Sequence, residues 1–249
     1  MILSVHDLHK FFFTGFTGTI KKQILDGISF SLSQWEIYAF LGPNGAGKTT
    51  TIETIMWFHL ADSGQISFFW DSNLDNNIRR RIGYAADKTA YFDHLTGREN
   101  VMLIGDYAQV EKNKKESIWH KLFDQLGLCY AKDSYVQNYS QWMKQRLGLI
   151  ISLINDPELI IWDEPMSWLD PLGRIVVKNL MKKLKEQGKT ILFSTHILSD
   201  VEEIADKFGI LHQGKMIYEQ IVNEQTHHLE ELFCDLISGE KSVQELSIS

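Results

Sequence analysis

Apolar positions along this chain change their period twice. Near the N-terminus, Ile2–Leu8 and Ile28–Leu32 alternate apolar and polar residues, the period of two that predicts strands with one buried face. Ile37–Leu41 is an unbroken apolar run, as expected of a strand covered on both faces. Thr49–Met56 then reads as a helix, Ser63-Gly64 as a turn, and Gln65–Trp70 as a further strand. Beyond Arg79-Arg80-Arg81 the texture becomes helical. Thr96 followed by Glu99 is a capping box that opens a helix toward Val110. Asn113–Leu126 carries Ile118, Leu122, Phe123 and Leu126 on one face, with Gly127 as its stop, and Ser140–Asn155 is a third helix that ends before Asp156-Pro157.

Strand patterns then resume. Leu159–Trp162 is a buried strand that leads into Asp163-Glu164. Asp170-Pro171 supplies an N-cap and an N1 proline for a helix to Gly188, with Leu172, Ile175, Val176, Leu180 and Leu184 turned inward. Thr190–Thr195 is a strand that delivers His196, Val201–Lys207 is helical, and Gly209–Tyr218 is a hairpin turning at Gln213-Gly214. Strands alternating with helices predict an α/β fold with a mostly parallel sheet, whose ligands gather at the carboxyl ends of the strands. The aromatic stretch Phe11-Phe12-Phe13, with Phe16, precedes the turn-rich Thr17-Gly18-Thr19; three adjacent phenylalanines cannot all face one core from a strand.

Composition narrows the picture. The 249 residues suffice for one large core with an inserted subdomain, and 25 basic against 32 acidic side chains give a net charge of −7. No basic footprint for nucleic acid is expected, Lys112–Lys115 reading as a solvated helix start. Cys129 and Cys234 match no metal spacing, so a reduced cytoplasmic protein is expected. The lack of an N-terminal apolar h-region and of an apolar run near 18 residues predicts neither a secretory signal nor a membrane span. Action at a membrane would then need a partner.

The chemistry begins at Gly42-Pro43-Asn44-Gly45-Ala46-Gly47-Lys48-Thr49, followed by Thr50, which fits G-x-x-x-x-G-K-[ST] between a strand and a helix. Glycines 42, 45 and 47 let backbone N–H groups close on a polyphosphate, and the helix N-terminus adds positive potential. Lys48 can reach the β- and γ-phosphates, and the Thr49 hydroxyl can hold Mg²⁺. Asp163 and Glu164, at a strand end, suit a second half of the same chemistry: Asp163 for Mg²⁺ and Glu164 for the attacking water. His196, at the tip of a predicted strand, suits a γ-phosphate contact.

In this order the motifs resemble the ATP-binding subunit of ABC transporters, over nearly the whole chain. Gly42–Thr50 is similar to Walker A, Leu159–Pro165 to Walker B with its catalytic glutamate, Ser167–Asp170 to the D-loop, and Thr195-His196 to the switch histidine. Tyr139–Arg146, containing Ser140, Gln141, Trp142 and Met143, lies where the family signature belongs. The resemblance implies a RecA-like P-loop NTPase core (residues 1–86 and 157–219) with an N-terminal antiparallel β part, a helical subdomain at 87–156, and a C-terminal helix and tail at 220–249. It implies ATP and Mg²⁺ as ligands, a homo- or heterodimer in which Ser140 to Met143 and Asp170 meet the partner's nucleotide, and Phe12 against the adenine. It also implies a separate integral membrane permease, a place on the cytoplasmic face of the cell membrane, and kinship with multidrug, antibiotic or bacteriocin exporters.

Two departures stand out. Asp87 replaces the usual Gln or Glu, one methylene short for reaching Mg²⁺ or water. Trp35, Trp57, Trp70, Trp142 and Trp168 fall where such proteins carry glycine, and an indole at 142 would crowd the approach to a phosphate, with added strain if φ there is positive. This is either a degenerate ATPase that closes poorly, or a chain whose tryptophans at these positions are glycines in the cell. Retention of Lys48, Asp163, Glu164, Asp170 and His196 favours the second reading.

Overall fold

The computed structural model describes residues 1–14, 19–223 and 229–239. Phe16, Thr17 and Gly18, and the end of the C-terminal tail, lie outside them. Contacts divide the chain into two compact units, residues 1–74 with 192–249 and residues 75–191, and the chain returns to the first within one strand, Thr190–Thr195 (β7).

In the first unit, β1 (Leu3–Thr14) is the centre of a three-stranded antiparallel sheet between β2 (Ile20–Leu32) and β4 (Ser63–Phe68). β3 (Ile37–Leu41), wholly buried as its apolar run requires, pairs in parallel with β8 (Lys207–His212), and β8 turns back antiparallel on β9 (Lys215–Ile221). Helix α1 (Lys48–Ile55) follows β3. α7 (Leu198–Ile204) packs near β3, and α8 (Leu229–Ser238) against α7.

The second unit holds α2 (Asn76–Arg79), β5 (Ile82–Ala85), α3 (Gly97–Tyr107), α4 (Lys112–Gln125), α5 (Gln141–Leu153), β6 (Leu159–Trp162) and α6 (Pro171–Glu186). β5 and β6 pair in parallel, clamped by the Arg81–Glu158 ion pair at 2.7 Å. α5 presses so closely on β5 that a Cβ on Gly83 would stand 2.1 Å from the Ser152 carbonyl. Residues 87–156 contain helices and one isolated bridge, Thr96 to Tyr135, but no strand.

Several expectations need correction. β1 runs through Phe11-Phe12-Phe13 instead of stopping at Leu8: three register shifts let the strand twist, and the phenylalanines pair with Gln23, Lys22 and Lys21. Phe13 is the exposed member, at 67%. Ser63-Gly64 begins β4 rather than forming a turn, because Gly64 passes where a Cβ would sit 2.4 Å from the Asp7 carbonyl. β4 ends at Phe68, and Trp70 belongs to the next turn. The helix expected over Val201–Lys207 spans Leu198–Ile204, since Lys207 already pairs in β8. On α6 the buried stripe is Gly173, Val177, Leu180, Met181 and Leu184, leaving Leu172 (73%) and Ile175 (50%) exposed. That stripe keeps the i, i+4, i+7 spacing, which Leu172 and Ile175 miss by one position.

Candidate functional site

In the first unit the turn after β3 is shaped by what its glycines avoid. A Cβ on Gly42 would lie 2.4 Å from the Leu211 carbonyl, Gly45 stands at φ +81° beside open space, and Gly47 caps α1 at φ +107°. The open space at Gly45 is where a phosphate would approach the backbone. Lys48 is buried, and its Nζ donates to the Gly42 carbonyl at 2.7 Å and the Pro43 carbonyl at 3.3 Å, arching back over the loop. Thr49, the second residue of α1, is exposed, whereas Thr51 turns its hydroxyl inward to the Gly47 carbonyl at 2.8 Å.

The loop is braced from behind. Gly214, in the β8–β9 turn, donates its N–H to the Ala46 carbonyl at 2.9 Å and accepts from Asp26 N–H at 2.8 Å. With φ at +79° and a Cβ position 2.1 Å from the Ile24 carbonyl, residue 214 has room for glycine alone. Gly214→Ala is expected to cost about 1–3 kcal/mol of stability, read as a lower denaturant midpoint with an unchanged slope.

Two further residues of this unit were expected at the nucleotide. Phe12 is half-buried, edge-on to His59 at 5.0 Å, with Lys10 Nζ 5.3 Å from its ring centre, an amphipathic face of the kind that receives a base. His196 is exposed immediately after the fully buried β7.

The second unit brings together the acidic pair and the segment around Ser140. Asp163, 1% exposed, follows β6, and its N–H bonds the Ala85 carbonyl at 2.8 Å. Glu164 stands in the left-handed region at φ +48°, a conformation that non-glycine residues hold under strain, as they do at functional sites. Gln145 Nε2 donates to its carbonyl at 3.3 Å, and Ser167 Oγ to its Oε2 at 2.9 Å. Neither contact was foreseen; the serine's place three residues after Glu164 was the available signal. Asp170 caps α6, accepting from Gly173 N–H at 2.7 Å.

Ser140 caps α5 through Met143 N–H at 3.4 Å, while Gln141 to Met143 form its first turn. Trp142 does not have positive φ, so the condition for backbone strain there is not met: as the second helical residue it takes ordinary α geometry. Its ring lies 4.7 Å from the Arg146 guanidinium. Asp87 Oδ1 accepts from Trp168 Nε1 at 3.1 Å, tying the loop after β5 to the one after Glu164.

Tyr91 holds the loop beyond Asp87 to α5, its hydroxyl donating to the Lys144 carbonyl at 2.6 Å. Burial pushes this hydroxyl from 10.0 up to about 12. The folded form therefore stays protonated at a pH where the unfolded chain ionises. The contribution to stability is whole below pH 10.0 and is lost as pH rises toward about 12. Tyr91→Phe should flatten that alkaline loss, as read from denaturation midpoints across the range.

The donors suit a hard cation. In the first unit the Thr49 hydroxyl, and in the second the Asp163 carboxylate, are each by chemistry an oxygen donor of the kind Mg²⁺ prefers. No cluster of three or more His, Cys, Asp or Glu that could hold a metal occurs among the described residues.

A family model described as "ABC transporter" matches residues 25–167. An uncharacterised ABC transporter ATP-binding protein of Synechocystis is 38% identical over 218 residues, 87% of this chain, which spans 62% of that relative's length. A lantibiotic transport ATP-binding protein of Streptococcus pyogenes is 35% identical over 89% of this chain and 94% of its own. A solved structure titled as the ATP-binding subunit of an ABC transporter superposes with a TM-score of 0.83 at 28% identity, covering 95% of this chain and 99% of that one. The P-loop NTPase fold, α/β with a mostly parallel sheet and an N-terminal antiparallel sheet, is thereby shown.

Proposed function

Because this chain belongs to the ABC transporter family of ATP-binding proteins, we propose that it binds and hydrolyses ATP to drive export through a separate membrane subunit. The observation that carries this is the cradle at Gly42–Thr49: Gly45 in the left-handed region beside open space, Gly47 capping the helix whose N-terminus lies behind the loop, and a buried lysine arching over it. Among the described residues no helix is long and apolar enough to cross a membrane, so the coupling needs a partner that does.

In this reading the amides of the loop and Lys48 hold the phosphates, and Phe12 offers its face to the adenine. Thr49 and Asp163 would supply oxygens to a Mg²⁺ ion, whose charge would offset that of the β- and γ-phosphates. Glu164 accepts a proton from the attacking water and orients it; Ser167, bonded to Oε2, and Gln145, bonded to the backbone carbonyl, steady that carboxylate. Lys48 and His196 stabilise charge on the transferred group. Asp87 would be a third oxygen donor to the Mg²⁺ ion, one methylene shorter than the usual Gln or Glu. Ser140, Gln141, Trp142, Met143 and Asp170 serve a second copy's nucleotide in a homo- or heterodimer that closes on ATP. Residues 87–156 act as the helical subdomain that passes this closure to the permease, with the core at 1–86 and 157–219 and the C-terminal helix and tail at 220–249. The chain then sits on the cytoplasmic face of the membrane. The 94% span of the lantibiotic transport relative favours an exported peptide antibiotic as cargo.

The test is steady-state ATP turnover by the purified chain, alone and reconstituted in vesicles with its membrane subunit. Stimulation by that subunit, and peptide transport dependent on ATP, are expected. Nucleotide binding without turnover in either setting would reduce the protein to a nucleotide-gated binding module.

A further inference from the structure

The seven tryptophans fall into separate kinds. Trp162 is fully buried with Nε1 donating to Ser152 Oγ at 2.8 Å, and Trp119, 5% exposed, stacks on His120 at 3.7 Å and meets Phe123 edge-on at 5.7 Å. Both sites use an indole. Trp35, Trp57 and Trp70 do the opposite: they are 63%, 40% and 79% exposed, and their φ angles are +64°, +60° and +72°. A bulky side chain in the left-handed region is an outlier, because its Cβ crowds the neighbouring carbonyl.

The turns at two of these positions recur elsewhere in the chain with glycine. At the end of α1, Trp57 N–H bonds the Thr54 carbonyl at 3.1 Å and Phe58 N–H the Glu53 carbonyl at 2.9 Å, the paired bonds of a Schellman stop. The same pair closes α4 at Gly127 (to Asp124 and, from Leu128, to Phe123) and α6 at Gly188 (to Lys185 and, from Lys189, to Leu184), while α3 closes with Gln109 at φ +57°, whose unbranched stem is far less bulky than an indole. Trp70 is the second central residue of a two-residue turn: Phe68 and Asp71 exchange bonds at 2.7 and 2.8 Å, and Phe69 and Trp70 both have positive φ. The β8–β9 hairpin makes its turn with Gln213 at φ +47° and Gly214 at φ +79°, the type I′ pattern in which the second place favours glycine. Trp35 sits in the tight link between β2 and β3, where Ser33 N–H bonds Glu36 Oε2 at 2.7 Å.

We infer that residues 35, 57 and 70 are glycine in the protein as its own cell makes it, their codons being UGA read as glycine, whereas Trp119 and Trp162 are encoded by UGG. Backbone geometry and exposure, independent of the proposed activity, assign these three. The same codon at 142 and 168 would remove the Trp142–Arg146 contact and the Trp168–Asp87 bond, and would open the first turn of α5 to a phosphate.

Peptide mass mapping of the protein isolated from its native cells, together with the codons of its gene, decides the matter. Glycine at 35, 57 and 70 with tryptophan at 119 and 162 is the expected result; tryptophan in the native peptides, or UGG at the three positions, overturns the inference. On recombinant chain carrying all seven tryptophans, Trp35→Gly, Trp57→Gly and Trp70→Gly should each raise the folding equilibrium constant about threefold to tenfold, relief of the left-handed strain exceeding the added freedom of the unfolded chain. Trp162→Gly should lower it at least about hundredfold. A fall at all three exposed sites would also overturn the inference.

Discussion

Glu164→Gln is expected to lower ATP turnover by at least about hundredfold, the span usually carried by a positioned general base, while leaving nucleotide affinity within about threefold. The amide keeps the size of the side chain and can still receive the Ser167 hydroxyl through its oxygen, so the left-handed turn at residue 164 has no reason to move. What is lost is the capacity to accept a proton from water. With ATP bound and unspent, the closed dimer should accumulate, visible as a shift in elution volume that needs ATP and is absent with ADP. Equal turnover in the variant and the parent would take Glu164 out of the chemistry and leave Asp163 as the remaining acid of the pair.

The second large effect concerns Lys48. Its ammonium is buried among the loop's own carbonyls, and bound phosphate oxygens would draw it from those acceptors into charge-assisted bonds. Lys48→Met keeps the length and packing of the stem but removes the charge. ATP affinity should fall about ten- to hundredfold and turnover about hundred- to thousandfold, measured by titration calorimetry and by phosphate release. ADP affinity should fall less, because the γ-phosphate is one of the two groups that the lysine reaches. Loss of the folded state rather than of binding would show instead as a collapsed thermal transition.

The sequence was most readable where one residue dictates local geometry. The Thr96–Glu99 capping box, the Asp170 cap and the four-residue run Leu159–Trp162 all appear where the pattern put them. It was least readable where tertiary contact overrules period. β1 continues past Leu8 because its bulges re-aim successive side chains, which alternation alone does not encode. β5 was missed: it is four residues long, follows three arginines and contains Gly83, whose role emerges only when Ser152 of α5 is seen against it. On α6, Leu180 and Leu184 face inward as the pattern put them, but its first turns did not follow it, because Leu172 and Ile175 are apolar yet exposed.

The P-loop was legible because its glycines and lysine act through adjacent backbone. The support of Glu164 was less so, since Gln145 reaches it from 19 residues away. The tie from Asp87 to Trp168 spans 81 residues and leaves no local mark at all.

Gly214 carries a last implication. A loop already pinned by hydrogen bonds to its rear has little conformational freedom left to surrender when a guest arrives, so contact energy goes into holding that guest instead of ordering the receptor. Affinity should then be governed by how slowly the nucleotide departs, with arrival limited mainly by diffusion into an open mouth.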